Sequence, residues 1–282
     1  MAKKVQKRYL LPADYMADPS VHVFDGKIHI YPSHDWESAA PDDDFGSEYD
    51  MKDYHVLTIE GDDPMTSPVV DHGVALDIKD VPWARRQLWD NEVVKGRDGK
   101  YYMYFPAKDK TDIFRAGVAV SDSPTGPFKA MPDPIRGSYS IDYAILHDDD
   151  DEYYMYFGGI WGGQLQRYED NLAKDNGTSY PADGQPAVPG RVVKLAKDML
   201  QFAEEPKPVV LLDENGDPII RTITHTRTIT KTALPDTTAQ IFWLKNRRPD
   251  RWRDKPIEVE DKGTMEKLDA MLAEVKAYAA HS

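Results

Sequence analysis

Three aromatic stretches, each behind an acidic turn, decide the fold of this chain: Phe24–Tyr31 (FDGKIHIY), Arg97–Phe105 (RDGKYYMYF) and Asp149–Phe157 (DDDEYYMYF). Two of the turns contain Asp-Gly, which suits a two-residue hairpin turn because both central residues there need positive φ. Each stretch therefore predicts a β-hairpin. The turns are 73 and 52 residues apart, a spacing too long for a solenoid repeat. It suits small antiparallel sheets with inserted loops, as in the blades of a propeller.

A carboxylate precedes each of these turns by a similar distance. Asp18 lies eight residues before Gly26, Glu92 seven before Gly99, and Asp142 nine before Asp151. In a propeller the innermost strands line the central channel, so these side chains would converge on the axis. Carboxylates held close together shift one another's pKa and are candidates for acid–base catalysis. The alternative is that each acidic residue only caps a turn.

Composition limits the class of protein. The chain has 282 residues, enough for one large or two modest domains, and no apolar run approaches the roughly 18 to 20 residues that span a bilayer. It contains no cysteine, which excludes disulfides, thiolate metal sites and a cysteine nucleophile. The basic start leads into no long apolar stretch, so it does not resemble a secretory signal. We expect a soluble, globular, cytoplasmic protein.

The net charge of −14 hides a difference between the two parts of the chain. Residues 221–282 carry 12 basic and 9 acidic side chains, whereas residues 1–220 carry 23 basic and 40 acidic ones. The later segment also changes in pattern: apolar residues recur at helical spacing from Met265 to Ala279, behind Gly263-Thr264. Pro235-Asp236 offers a helix start before residues 237–246. We therefore predict two domains, 1–218 and 219–282, the second a helical tail.

Several motifs in the first domain occur in a known order. They are Tyr15–Val21 (YMADPSV), Pro82–Trp89 (PWARRQLW), Gly117–Phe128 (GVAVSDSPTGPF), Gly137–Asp142 (GSYSID) and Tyr156–Gly163 (YFGGIWGG). Together they resemble glycoside hydrolase family 43, which contains β-xylosidases and α-L-arabinofuranosidases on a five-bladed propeller. The resemblance covers about residues 8–218. It implies a mainly β fold, an incomplete five-bladed propeller of about three blades.

The resemblance also implies roles for individual residues. Asp18 falls on the family's general base, and Asp142 falls on the aspartate that tunes pKa and orients the site. Trp83 resembles an aromatic platform for a pentose ring, and Arg85 or Arg86 a donor to sugar hydroxyls; Glu92 is a further candidate for substrate binding. The alternative for Trp83 and Trp89 is ordinary core packing. No cofactor is expected, although the resemblance allows a divalent ion in the channel, and no metal ligands are assigned.

Three departures from the family pattern bear on activity. Leu88–Glu92 (LWDNE) stands where members commonly have Leu-Trp-Ala-Pro-Asp, and Ile141–Ala144 (IDYA) stands for Ile-Asp-Pro-Ala. The family's general-acid Glu is expected soon after residue 218, and no matching motif is present there. Glu204, Glu205 and Glu214 precede that point in loop-like sequence, so none is assigned the acid role. A missing acid predicts a loss of about 10²–10⁴-fold at minimum.

The tail carries a second resemblance. Residues 229–255 are similar to the helix-turn-helix segment of phage terminase small-subunit-like proteins, and six cations lie between Lys245 and Lys255. Arg247, Arg248, Arg251 and Arg253 are therefore candidates for contact with DNA phosphates. The alternative is a solvated basic turn whose tryptophans pack on the last helix.

Three hypotheses follow from the sequence. The leading one is a truncated glycosidase that acts on oligosaccharides derived from xylan or arabinan and is impaired by the missing acid. The second is a DNA-binding accessory protein of phage packaging with an inert sugar site. The third is a joined chain without a function of its own.

Overall fold

The computed structural model describes residues 8–11, 14–43, 45–168 and 187–218, and this part of the chain is mainly β. The chain divides after residue 219 into two units, of which the described residues belong to the first. Three antiparallel sheets follow one another along the sequence. The only helical elements among the described residues are two 3₁₀ turns, Ile78–Asp80 and Trp161–Gly163.

The first sheet contains four strands in chain order: β1 (Met16–Phe24), β2 (Lys27–His34), β3 (Asp53–Ile59) and β4 (Val69–Asp77). Asp25 and Gly26, with φ of 51° and 79°, join β1 to β2 as the two-residue turn that the sequence predicts.

The second sheet contains β5 (Ala84–Arg86), β6 (Glu92–Lys95), β7 (Tyr101–Asp109), β8 (Phe114–Ser121) and β9 (Lys129–Ala130), and both β5 and β6 pair with β7. The third contains β10 (Ala144–His147), β11 (Tyr153–Phe157), β12 (Arg191–Lys194) and β13 (Lys207–Pro208).

The predicted hairpins of the second and third sheets are present, but their turns are longer than the two-residue turn of the first sheet. The Gly96 N–H bonds to the Lys100 carbonyl around a three-residue loop, and only Gly99 has positive φ there. In the third sheet the Asp148 N–H bonds to the Glu152 carbonyl around a similar loop, and Asp151 is the loop residue with positive φ.

The second sheet packs between the other two, and the aromatic strand β7 shows why. Tyr101, Met103 and Phe105 join the core cluster that includes Tyr31 and Tyr54 of the first sheet. Tyr102 and Tyr104 point to the opposite face and join the cluster that includes Met155 of the third sheet. Successive side chains of a strand point to opposite faces, so a strand with large apolar or aromatic side chains at five successive positions, 101–105, can fill two cores.

The prediction of a mainly β chain built from small antiparallel sheets is confirmed. None of the described sheets closes on itself. The predicted helical tail, residues 219–282, lies outside the described residues. Within the described ranges, no helix is long and apolar enough to cross a membrane.

Candidate active site

A cavity of about 360 Å³ lies where the three sheets meet. It receives an aspartate from each sheet region: Asp18 from β1, Asp90 from the segment before β6, and Asp142 from the segment before β10. A fourth aspartate, Asp35, also lines the cavity. The other lining residues are aromatic, aliphatic or small: Ala17, Phe45, Gly46, Tyr49, Met51, Trp89, Ile141, Ile160, Gly162 and Gly163. The two aspartates predicted to be catalytic therefore share one cavity.

A β-bulge places Asp18. Ala17 pairs with Ser33 and Ser20 with Tyr31, so Asp18 and Pro19 together oppose the single residue Pro32. Prolines lack the N–H of a regular ladder, which favours an irregularity at this point. Asp18 has φ of 45°, a left-handed conformation that costs a non-glycine residue about 1–2 kcal/mol. Such bulges redirect a side chain, here into the cavity.

A tight loop before β10 places Asp142, which also has positive φ, at 62°. The Ser140 hydroxyl accepts a hydrogen bond from the Gly159 N–H at 3.0 Å and donates one to the Gly159 carbonyl at 3.2 Å. Gly159 has no room for a side chain, because a Cβ there would lie 2.5 Å from Ile141 Cγ1 and 3.3 Å from Asp142 Oδ2. The loop that carries Asp142 is thus held closely against the end of β11.

Asp90 is a further carboxylate of the cavity, and it is not among the residues predicted from the sequence. Burial, and then the negative charges of Asp142 and Asp18, raise the pKa of Asp90 to about 8. Burial and the charge of Asp18 also raise the pKa of Asp142, which is hydrogen-bonded to Asp90. Two carboxyl groups can share a hydrogen bond only if one is protonated, so this pair retains a proton at neutral pH.

The spacing along the chain contains a signal for Asp90. Asp90 precedes Gly99 by nine residues, and Asp142 precedes Asp151 by nine, whereas Glu92 precedes Gly99 by seven. A comparison of these distances favours Asp90 over Glu92 as the counterpart of Asp142.

The Asp90→Asn variant is expected to be more stable than the parent chain, by an amount that grows with pH. A carboxyl whose pKa is raised on folding holds its proton more tightly in the folded state, so its contribution to stability falls as pH rises from about 4 to about 8. Asparagine removes this loss. We expect a small difference near pH 4 and a gain of at least about 1 kcal/mol, the value of one pKa unit, at pH 8.

Urea unfolding at several pH values measures this difference. Asp122→Asn is the matched control, because the Asp122 side chain is 90% exposed, and we expect less than about 0.5 kcal/mol of change at every pH. A gain for Asp90→Asn that does not vary with pH would show that the proton is not held at this site.

Trp89 is the tryptophan in the cavity lining, beside Phe45 and Tyr49. Its indole N–H donates to the Tyr49 carbonyl at 2.6 Å, and its ring packs on Phe114 at a centroid distance of 4.7 Å. Gly46 and Gly162 approach the ring so closely that a Cβ on either would lie within 3.2 Å of it. The indole is thus fixed in place beside the three aspartates.

Trp83, the residue predicted as the sugar platform, packs in the core, which is the alternative given for it above. It is 9% exposed in the core between the first and second sheets, and its ring stacks on Phe105 at 6.1 Å. Neither face is available to a sugar. Trp83 and Trp89 lie on opposite sides of β5 in the sequence. Trp89, which comes after β5, lines the cavity, whereas Trp83, which comes before it, does not.

The other predicted substrate contacts lie elsewhere as well. Arg86 makes a two-point contact with Asp112, at 2.9 Å for each bond, and Arg85 lies 3.7 Å from the same carboxylate. Glu92 lies on β6, where it contacts His22 of β1 at 3.3 Å. None of the three lines the cavity. Each arginine has an intramolecular partner that the sequence order does not show.

The predicted DNA contacts Arg247, Arg248, Arg251 and Arg253 lie outside the described residues. Contact with nucleic acid stays a prediction, which salt-dependent retention on DNA would test.

Comparisons with known proteins give a consistent result. The profile of glycosyl hydrolases family 43 matches residues 71–197. A xylosidase/arabinosidase of Bacteroides ovatus is 58% identical over 216 residues, which are 77% of this chain and 65% of that protein. A β-xylosidase of Xylanibacter ruminicola is 51% identical over 76% of this chain and 66% of its own length.

Solved structures agree. The structure of RS223-β-xylosidase is 57% identical, with a TM-score of 0.70, and covers 75% of this chain and 64% of its own. The family 43 β-xylosidase/α-arabinofuranosidase CoXyl43, from a compost metagenome and solved with xylotriose, is 54% identical with a TM-score of 0.66 and covers 75% of this chain and 64% of its own. The chain thus spans 64–66% of the length of these relatives, slightly less than two thirds.

Proposed function

We propose that the chain belongs to glycosyl hydrolase family 43, whose profile matches residues 71–197, and that it acts on the glycosidic bonds of β-xylosides and α-L-arabinofuranosides. The observation that carries the proposal is the convergence of Asp18, Asp90 and Asp142, one from each of three successive sheet regions, on one cavity. A xylotriose complex is known for a relative, which supports a pentose oligosaccharide as the substrate.

The proposal includes the arrangement of the sheets. We take them as three successive blades of the family's five-bladed propeller, with the aspartates near its axis. Two features support this. The second sheet is covered on both faces by its neighbours, and strands that begin next to the cavity, β1 and β6, lie at or near the start of their sheets. The described residues form three sheets, and none of these sheets closes a ring.

The roles of Asp18 and Asp142 are those that the resemblance to family 43 implies, and the lining of one cavity by both residues supports them. Asp18 acts as the general base that takes a proton from the attacking water. Asp142 orients the site and keeps its field negative. An inverting glycosidase needs room for this water between the base and the sugar. Asp90 holds the proton that it shares with Asp142.

The proposed mechanism lacks a general acid among the described residues. No glutamate lines the cavity in the described part of the chain. Glu92 is engaged with His22, and Glu204 and Glu205 line a separate cavity beside Arg115. The proton on the Asp90–Asp142 pair lies in the hydrogen bond between the two carboxyl groups, and we assign it no role in protonating the leaving group. We therefore propose slow turnover of natural substrates.

The leaving group provides the test of this proposal. A dinitrophenyl xyloside or arabinoside departs without a proton, whereas the sugar alkoxide released from xylobiose needs one. We expect the chain to cleave the activated substrate and to be slower on xylobiose by at least about 10²-fold, the contribution of an acid. Xylobiose turnover on the order of 10 per second would overturn the impairment, and no turnover of either dinitrophenyl glycoside would overturn the function.

The residues present fit the divalent ion that the family resemblance allows. Asp18, Asp90 and Asp142 offer carboxylate oxygens, the donors preferred by Ca²⁺ and Mg²⁺. A bound cation would lower the repulsion among the three carboxylates and release the proton shared by Asp90 and Asp142.

A further inference from the structure

A second polar cluster lies outside the cavity lining, on the first sheet. It contains His34 at the end of β2 and Asp53 and His55 at the start of β3. Ser33 pairs with Tyr54, so His34 lies across from Asp53, and Asp53 shares a face with His55 because the two are two residues apart. Tyr54, between them, packs in the core toward the second sheet, so the cluster lies on the opposite face.

The three side chains are close enough to bind one ion. One ring nitrogen of each histidine and one oxygen of Asp53 all lie within 4.8 Å of one another. Asp53 Oδ1 is 2.9 Å from His34 Nδ1 and 3.6 Å from His55 Nε2. Ligand atoms bound tetrahedrally at about 2.0–2.2 Å are about 3.3–3.6 Å apart, so an ion fits after shifts of up to about one ångström.

The atoms that would not bind the ion already have partners of the expected kind. The second nitrogen of His34, Nε2, contacts Asp14 at 3.1 Å, and the second nitrogen of His55, Nδ1, contacts Asp71 at 3.0 Å. Histidines bound to a metal almost always donate their other N–H to a carboxylate or carbonyl, which fixes the ring and raises its basicity. Trp36 donates to the other oxygen of Asp53 at 3.3 Å, which leaves Oδ1 for the ion.

We propose that His34, Asp53 and His55 bind a divalent transition-metal ion, with Zn²⁺ as the best fit and solvent at a fourth position. Imidazole nitrogens select Zn²⁺, Co²⁺ and Ni²⁺ over Ca²⁺ and Mg²⁺, which prefer oxygen ligands. Charge supports this choice, because three carboxylates surround the two imidazoles and a divalent ion offsets part of their repulsion. The ligands are distinct from the cavity aspartates.

The position of the site gives it a structural role. His34 and Asp53 are the two ends of the segment that joins β2 to β3, and this segment supplies Phe45, Tyr49 and Met51 to the cavity wall. An ion held by both ends would fix the base of that wall.

Titration with Co²⁺, followed by its visible d–d absorption, tests the proposal directly, because nitrogen ligation changes this spectrum and carboxylates alone change it little. The titration uses the full chain carrying Asp142→Asn, which weakens cation binding in the cavity. We expect one ion per chain, displaced by equimolar Zn²⁺ but not by excess Ca²⁺. Binding should also raise the melting temperature. An unchanged spectrum at millimolar Co²⁺ would overturn the proposal.

Three substitutions locate the ion. His55→Gln should abolish the Co²⁺ spectrum, and Asp71→Asn, which removes only the outer partner of His55, should weaken affinity by about 10–100-fold. His147→Gln is the matched control, because His147 pairs with Asp151 at 2.7 Å at an exposed position on the third sheet. Equal loss in His147→Gln, or full binding in a folded His55→Gln protein, would place the ion elsewhere and overturn the proposal. Circular dichroism establishes that each variant is folded.

Discussion

Replacing Asp18 with alanine is expected to lower kcat/KM for a dinitrophenyl pentoside by about 10²–10⁴-fold, the contribution of a positioned general base. This substrate needs no acid, so the activation of water is the chemical step that the side chain still controls. Asp18 projects into the cavity from a bulge of the first sheet, and its replacement removes no core contact. We therefore expect little change in the melting temperature.

Rescue by a small anion separates chemistry from structure in this experiment. Azide or formate can occupy the space left by the carboxylate and restore part of the rate of Asp18→Ala, which a damaged fold would not permit. Asp25→Asn, at the exposed turn of the same hairpin, is the control and should retain full activity. Undiminished turnover in Asp18→Ala would exclude Asp18 as the base.

Trp83→Ala is expected to lower the free energy of unfolding by about 3–5 kcal/mol, as large truncations in a core do. The indole is 9% exposed and stacks on Phe105, and a Cβ at Gly117 would lie 2.8 Å from it. KM of the protein that remains folded should not change. Trp89→Ala should show the reverse pattern, a raised KM with a smaller loss of stability, because Trp89 is partly exposed and lines the cavity.

Trp83→Phe refines this comparison. The Trp83 indole N–H has no hydrogen-bond partner among the described residues, so phenylalanine loses area but no hydrogen bond. We expect it to retain more than half of the stability that alanine loses, as measured by urea unfolding. A raised KM with unchanged stability in Trp83→Ala would restore Trp83 as the sugar platform.

The sequence contains enough information for the hairpins because their signals are local. The turn at Asp25-Gly26 and the aromatic run of β7 depend on neighbours within a few residues. The sequence does not show that β7 is covered on both faces, because that depends on two other sheets. The Asp-Gly pair also does not show the length of the second turn. That turn has three residues, and Gly99, but not Asp98, has positive φ.

The site was predictable in part for the same reason. Asp18 and Asp142 were selected by spacing and family motif, and both line the cavity. Arg86 does not line the cavity, and its contact with Asp112, 26 residues away across a hairpin, is not visible in the sequence. Asp90 was missed because its importance comes from the charges of Asp18 and Asp142, which only the folded chain brings near it.

The extra residue at Asp18 and Pro19 separates the chemistry of this protein from its architecture. Loss of the codon for Pro19 would restore uninterrupted alternation along β1, and a one-residue shift turns a side chain to the opposite face of a sheet. The aspartate would then leave the cavity while the strands kept their partners and the core its contents. Selection for a folded product therefore does not preserve the reactive group. A lineage can lose catalysis in one genetic step and still inherit the scaffold unchanged.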